Sequence, residues 1–286
     1  MNQSNSAAPP RSGPRLLAAC AVEELSPHLR RVWLQGEALA GFPASLEGAP
    51  VAGSHIKLML ARPGQRAPQL PVLDAAGEVH WPPRDVSPIK RTYTVAAWDP
   101  VQGRLAVDFV LHAASGPAAD WARNVQAGSL IGVAGPGGPR RFAPQARHWL
   151  LLGDASAAPM LSACLQQMQS SPRPGLLLLQ SAHANGEDLP PLTLPPGMQL
   201  ARLGYDCAAL IAALQAHCQE WQAEDWRACS ITLAGESSQV VAARDWLLAQ
   251  GAQRAMMYAV PYWKQAHDEE AYHAERHRIM DELGAE

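Results

Sequence analysis

The sequence predicts two domains, an N-terminal antiparallel β-barrel and a C-terminal α/β domain with a parallel sheet, and three observations carry that expectation. From Leu16 to Ala134, short stretches alternate apolar and polar residues with a period of two, broken by turns rich in Pro, Gly and Asp. From His148 onward the pattern changes to continuous apolar runs separated by helix-forming stretches, the signature of strands buried on both faces. Between the two regimes stands Gly135-Pro136-Gly137-Gly138-Pro139, a run suited only to a turn.

Taken in order, residues 1–15 are rich in Ser, Pro, Asn and Ala and read as a disordered tail. Leu16 to Leu25 reads as strand or helix, since Ala and Glu also favour helix, and Leu29 to Gln35 follows the turn Ser26-Pro27-His28. Gly36 to Gly53 is a loop with room for one helical turn, and Ser54 to Ala61 is a strand. Arg62 to Pro88 is a long polar excursion of the kind that is usually functional. Arg91 to Trp98 alternates, with Arg91, Tyr93 and Val95 on one face and Thr92 and Thr94 on the other. Asp99-Pro100 and Gly103 turn it into a second strand, Arg104 to Leu111. Gly116-Pro117 then opens a helix, and Gly128 to Ala134 closes a barrel of about six strands.

In the second domain, strands are expected at His148 to Leu152, Gly175 to Ser181, Ser230 to Ala234 and Ala255 to Tyr258. Helices are expected at Met160 to Gln169, Cys207 to Trp226, Gln239 to Gln250 and Glu269 to Leu283. In such a sheet ligands bind beyond the carboxyl ends of the strands, which points to the loops Gly153 to Pro159, Ser181 to Asp188 and Gly235 to Ser238. The G-x-G-x-x-G dinucleotide fingerprint is absent after the first of these strands.

Composition narrows the function. The chain has 286 residues and a net charge of −3, which gives no reason to expect a nucleic-acid or acidic-membrane partner. Its 5 cysteines are scattered without C-x-x-C spacing, so neither a disulfide framework nor a zinc or iron–sulfur site is expected. The apolar run Leu16 to Val22 is too short for a signal peptide, and no run approaches the ~20 residues of a spanning helix. These features suit a cytoplasmic protein, and with no apolar stripe left over a monomer is expected. His273 and His277 stand at i and i+4 on the last helix, but no third ligand accompanies them, so no metal site is assigned.

The segment Lys90 to Trp121 carries the most chemistry. It combines a polar cluster on a strand with a helix start whose backbone N–H groups and dipole suit a pyrophosphate. Arg91-Thr92-Tyr93-Thr94, His112, Gly116-Pro117-Ala118 and Trp121-Ala122 resemble, in this order, the flavin-binding signature of the siderophore-interacting proteins, a branch of the ferredoxin-reductase-like flavoenzymes. His55 to Leu58, Gly135 to Gly138, Gly153-Asp154, Ala234-Gly235-Glu236 and Tyr262-Trp263-Lys264 extend the resemblance over nearly the whole chain after the tail.

The resemblance selects the hairpin reading of Leu16 to Gln35. It also implies an FAD-binding barrel over residues 16–145, an NAD(P)H-binding domain over 146–286 and a ferredoxin-NADP reductase-like fold. The implied activity is reduction of a ferric siderophore with NADPH or NADH as donor. FAD would meet Arg91 at its diphosphate, Tyr93 at its ring or ribityl chain, Thr94 near the reactive ring nitrogen and His112 at the pyrimidine end, with Tyr93 and Thr94 as the catalytic pair. Thr92, Phe109, Gly116, Pro117, Ala118 and Trp121 complete the implied flavin site, and Gly153, Asp154, Ser156, Gly235 and Glu236 the cofactor-binding loops of the second domain. Gly153 suits a tight turn before a helix as well as direct contact. Lys57, Lys264 and His267 match a basic cluster that would hold an anionic ferric siderophore. The chain departs from the family where Ala155 and Ser156 replace an acidic residue and threonine, where Pro261 replaces glycine, and at Gln265-Ala266. Two other readings share the architecture: a flavin reductase with a different acceptor, and a non-catalytic carrier of a ferric chelate or flavin.

Overall fold

The structure, a computed structural model, describes residues 13–42, 46, 50–111, 116–138, 142–183, 186–265 and 272. The described chain falls into two compact units. One draws on Met1–Glu23, Arg31–Val107 and Ala113–Gly138, the other on Glu24–Arg30, Asp108–His112 and Pro139–Glu286.

Six strands close the expected barrel in the order β1 (Arg15–Ser26), β2 (Leu29–Gln35), β7 (Arg104–Val110), β6 (Ile89–Asp99), β3 (His55–Leu60) and β8 (Leu130–Gly137). Leu16 pairs with Gly132 and Leu17 with Ile131, so the ambiguous first segment is a strand, as the resemblance implied. Its helix-forming Ala and Glu yield because the ladder buries Leu17 and Ala19. From His55 to Leu58, β3 alternates exposed His55 and Lys57 with fully buried Ile56 and Leu58, the period-two pattern of a barrel wall, before Met59 and Leu60 are both buried. The expected helical turn is a 3₁₀ turn at Glu37–Leu39, and β8 runs on through the glycine-rich turn to Gly137, opposite His55.

The polar excursion is more ordered than its composition suggested. Val72–Leu73 (β4) and Val79–His80 (β5) form a small hairpin held by Asp74, whose carboxylate accepts from the N–H groups of Ala76 and Glu78, both at 2.9 Å. Arg62 then ties the excursion to its own far end by donating to the carbonyl of Ser87 at 2.7 Å.

The second unit holds a five-stranded parallel sheet in the order β11 (Met198–Leu203), β10 (Gly175–Gln180), β9 (His148–Gly153), β12 (Cys229–Glu236) and β13 (Met257–Trp263). Alternate residues feed two cores. Leu150, Leu152, Leu176, Leu178, Ile231 and Leu233 pack with helices α3 (Cys207–His217), α4 (Ala223–Arg227) and α5 (Ser237–Ala249). Trp149, Leu151, Leu177 and Leu179 pack with α2 (Ala158–Met168). At ~1.5–3 kcal/mol per buried leucine, this two-sided burial explains why the runs are apolar throughout.

Three expectations for this unit need correction. Strand β11 escaped the sequence reading because it is a half-exposed edge whose Gln199 and Arg202 interrupt any apolar run. The single helix expected over Cys207 to Trp226 is two, since α3 stops at Cys218 and α4 restarts from a capping box of Gln222 and Asp225. Strand β13 begins after a 3₁₀ turn at Arg254–Met256 and runs further than expected, to Trp263. The helix expected at Glu269 to Leu283 lies outside the described residues, apart from Tyr272.

Candidate functional site

In the first unit, β6 and β3 pair without a break from His55↔Thr94 through Ile56↔Tyr93, Lys57↔Thr92 and Leu58↔Arg91 to Leu60↔Ile89. Residues directly opposite in such a ladder point to the same side, so His55, Lys57, Thr92 and Thr94 share one face and Arg91 and Tyr93 the other. Lys57 Nζ donates to Thr92 Oγ1. Thr92, expected at the cofactor, therefore engages the lysine expected at the substrate, and the diagonal neighbour of Lys57 on this face is Thr94, at a spacing of roughly 7–8 Å between such positions. Arg91, Thr92 and Tyr93 are half-buried, and Thr94 is 6% exposed.

Helix α1 (Pro117–Asn124) starts where the sequence placed it. Gly116 is its N-cap in extended conformation, Pro117 occupies the first turn, and no capping side chain covers the first N–H groups. Among the described residues an added Cβ at Gly116 would meet nothing within 4 Å, a close approach that suits an anionic phosphate. Ala118, Ala119 and Ala122 are buried, which leaves Ala118 only its backbone N–H to offer a ligand, and Trp121 is half-buried. Phe109 is 0% exposed, so its ring belongs to the packed interior and only its backbone is left to meet a cofactor. His112 lies outside the described residues.

In the second unit the strand order reverses direction between β9 and β12, and at such a switch point an open α/β sheet forms its binding crevice. Gly153-Asp154 ends β9 and Gly235-Glu236 ends β12, so the two loops singled out from the sequence meet there. The detail differs from expectation. Asp154 is 1% exposed and its carboxylate is wholly committed. Oδ1 accepts from Ser156 N at 2.9 Å and Ser156 Oγ at 2.5 Å, and Oδ2 from Glu236 N at 3.0 Å and Trp263 Nε1 at 2.8 Å. It fastens the ends of β9, β12 and β13 together instead of meeting a ligand directly.

Desolvation pushes the Asp154 pKa above the usual carboxylate range, although the Ser156 and Trp263 hydrogen bonds pull the other way. Burial, and next the charge of Asp154, raise the Tyr205 hydroxyl pKa well above its ordinary value. Tyr205 meets the Trp263 ring edge-to-face at 5.6 Å.

Glu236 is likewise turned inward. It caps α5, with Oε2 accepting from Ser238 N at 2.7 Å and Gln239 N at 3.2 Å, and Oε1 accepts from Gln265 N at 3.3 Å. Gly235 adopts φ 131°, and a Cβ there would lie 2.6 Å from Asp154 Oδ2, so both its backbone and its neighbour demand glycine. Gly153 serves packing: a Cβ would stand 2.5 Å from Leu161 Cδ1 and 2.9 Å from Ala157 Cβ, blocking the close approach of α2. Only Ser156 among these five loop residues is half-exposed and able to meet a ligand with its side chain.

Sequence reasoning missed Tyr205, which follows the unrecognised edge strand, and the Gln180–Gln239 pair, with Gln180 Nε2 donating to Gln239 Oε1 at 2.8 Å beneath the same loops. Of the basic residues expected at the substrate, Lys57 is exposed and Lys264 half-buried, and His267 lies outside the described residues.

A family model described as the siderophore-interacting FAD-binding domain matches residues 19–140, and one described as siderophore-interacting protein matches residues 146–266. The chain is 35% identical over 271 residues to the ferric vibriobactin reductase ViuB of Vibrio cholerae, covering 94% of this chain and 96% of that one. Among solved structures it resembles the siderophore-interacting protein SipS from Aeromonas hydrophila, with a TM-score of 0.77, 32% identity, and coverage of 96% of this chain and 100% of that one. A siderophore utilization protein from T. fusca matches with a TM-score of 0.70 and 25% identity over 92% of this chain and 96% of that one.

Proposed function

The chain belongs to the siderophore-interacting protein family, and on that premise we propose that it is an FAD-dependent ferric-siderophore reductase, taking electrons from NAD(P)H and releasing ferrous iron from the chelate. The observation that carries this reading is the β3–β6 register, which sets Lys57 on the same ladder face as Thr94 and holds its ammonium at Thr92. A cation beside the hydroxyl expected at the flavin's reactive edge is what an anionic ferric chelate needs if it is to be reduced there.

The residues fit FAD. The N-terminal turn of α1 with Gly116, Pro117 and Ala118 suits the diphosphate, and Arg91 adds a planar guanidinium for bidentate contact. Tyr93 offers an aromatic face with a polar tip, and Trp121 a second half-buried ring. Thr94 holds a short hydroxyl donor on a rigid strand, and the buried wall of β3 excludes water behind it. Bound FAD supplies hydride acceptance from a nicotinamide and one-electron delivery to ferric iron. Lys57, with Lys264 and His267, would orient the chelate, whose hard oxygen donors hold iron(II) less tightly than iron(III). In the second unit Asp154 and Glu236 act from behind, fixing the loops at the switch point so that Ser156 and the backbone can receive the nicotinamide nucleotide.

The division of labour, flavin on residues 16–145 and nucleotide on 146–286, is part of this proposal, as are a monomeric state, a cytoplasmic setting and the absence of a nucleic-acid partner. The scattered spacing of the five cysteines, with no C-x-x-C, supports a reducing compartment, and among the described residues no helix is long and apolar enough to cross a membrane. The test compares acceptors. FAD-loaded protein supplied with NADPH or NADH should reduce a ferric siderophore faster than free flavin or quinone. Faster turnover of free flavin or quinone would move the chain to the flavin-reductase class.

A further inference from the structure

Outside the flavin and nucleotide residues, one group of side chains has the composition of a metal centre. His28, His183 and Glu187 all lie in the second unit, His28 within its Glu24–Arg30 segment. One ligand atom from each falls within 4.8 Å of the others, the only such group of three among the described residues. The two imidazoles stack at 3.9 Å with 23° between their planes, and His28 Nε2 stands 3.8 Å from Glu187 Oε2.

The backbone under these residues is built. His28 is anchored at both ends, its N–H donating to Ser26 Oγ at 3.1 Å and its carbonyl accepting from Leu111 N at 2.7 Å. His183 N donates to Ser181 Oγ at 2.9 Å, and the Ser181 hydroxyl donates to the Asp188 carboxylate. The His183 carbonyl accepts from Gly186 N at 2.9 Å, and Gly186 adopts φ 64°. The same Ser–Asp staple therefore places His183 and Glu187 and uses Asp188 internally, leaving Glu187 as the outward carboxylate. No step of the proposed reduction uses any of the three.

We propose that His28, His183 and Glu187 form a binding site for a first-row divalent transition-metal ion. Two neutral imidazoles and one carboxylate suit zinc, cobalt or ferrous iron and not calcium or magnesium, which prefer all-oxygen sets. Ligand atoms ~2.0–2.2 Å from a tetrahedral ion stand roughly 3.3–3.6 Å apart, so binding closes separations of up to 4.8 Å by side-chain movements of about 1–1.5 Å and turns the two rings out of their stack to aim a nitrogen of each at the ion. The side chains of His28 and Glu187, 30% and 46% exposed, have that freedom and leave room for water in the remaining positions. A two-histidine, one-carboxylate set with open positions is also the donor set of non-haem ferrous sites. Resting on the reductase reading, the cargo of this site is the ferrous ion set free from the chelate.

The test is calorimetric titration of the oxidised, FAD-loaded protein with zinc chloride near neutral pH, without any electron donor. One saturable site is expected, weakened about tenfold or more in both H28A and H183A and weakened in E187Q, whose exposed position protects the fold. H80A should bind as the wild type does, because the exposed His80–Asp74 pair, at 2.7 Å, has no third ligand. No saturable binding up to roughly millimolar zinc, or binding undiminished in H28A, H183A and E187Q, overturns the site. Anaerobic ferrous ion should compete for the zinc site at higher concentration, in keeping with the weaker ferrous affinity of most nitrogen and oxygen sets. Zinc binding without ferrous competition would leave the metal site standing and refute the ferrous cargo. A failure of the reductase reading would appear in turnover and leave these titrations unchanged.

Discussion

Replacing Asp154 by asparagine should separate the scaffold role of this residue from any direct contact with the nicotinamide. The carboxylate accepts from four donors, at 2.9 Å and 2.5 Å from Ser156, 3.0 Å from Glu236 N and 2.8 Å from Trp263 Nε1. An asparagine oxygen can serve one pair, and its NH2 group then faces the donors of the other. Leaving one or two buried donors unsatisfied costs ~1–3 kcal/mol each, partly offset by removing a desolvated charge, for a net loss of about 1–4 kcal/mol. In a domain of this size that is a Tm lower by about 3–15 °C, read by thermal denaturation.

The sign of the pH dependence is opposite to that of a salt-bridged acid. The folded pKa of Asp154 is raised above 3.8, so the folded state binds the extra proton, and wild-type stability is eroded as pH rises through that folded pKa. The deficit of D154N relative to wild type should therefore grow as pH falls from neutrality toward about 4. A Tm within about a degree of wild type, with a pH-independent difference, would refute the scaffold role. FAD content should remain that of wild type, since the flavin residues lie on other elements.

Three further outcomes follow from the same geometry. R91A should lose ~1.5–3 kcal/mol of charge-assisted contact to the diphosphate, weakening FAD about 10- to 150-fold by fluorescence titration. K57M should raise KM for the ferric chelate roughly two- to fivefold, the scale of one exposed charge pair, and leave the rate of flavin reduction by NAD(P)H unchanged in stopped flow. G235A should be destabilised by about 1–3 kcal/mol or more in chemical denaturation, because it combines a φ of 131° with a Cβ 2.6 Å from Asp154 Oδ2.

The fold was legible where one period dominated a segment. The apolar runs of β9, β10 and β12 announced a parallel sheet, and the alternation around Tyr93 announced the barrel strand on which the site stands. Edges were not legible: β11 needs only one buried face, so Gln199 and Arg202 break its pattern, and Tyr205 behind it went unread. At the proposed site, Arg91, Tyr93, Gly116 and Lys57 were named from the motif order that the chain shares with its family, and the structure sets Arg91, Tyr93 and Lys57 on paired strands. The roles of Asp154 and Glu236 could not be named so, because a motif records that an acid is required and not which way its carboxylate faces. Nor could the burial of the Phe109 side chain be read from its position beside the expected cofactor strand. The pairing of His28 with His183 and Glu187 joins positions too far apart in sequence for any local period to reveal.

The most direct test of the reductase account is an anaerobic absorbance experiment on the FAD-loaded protein. NADPH or NADH is added first, then a ferric siderophore together with a ferrous-specific trap. The account predicts bleaching of the flavin band by the nucleotide, followed by its return as trapped ferrous iron appears. Bleaching that the chelate does not reverse would contradict the acceptor, and a flavin band that neither nucleotide bleaches would contradict the donor.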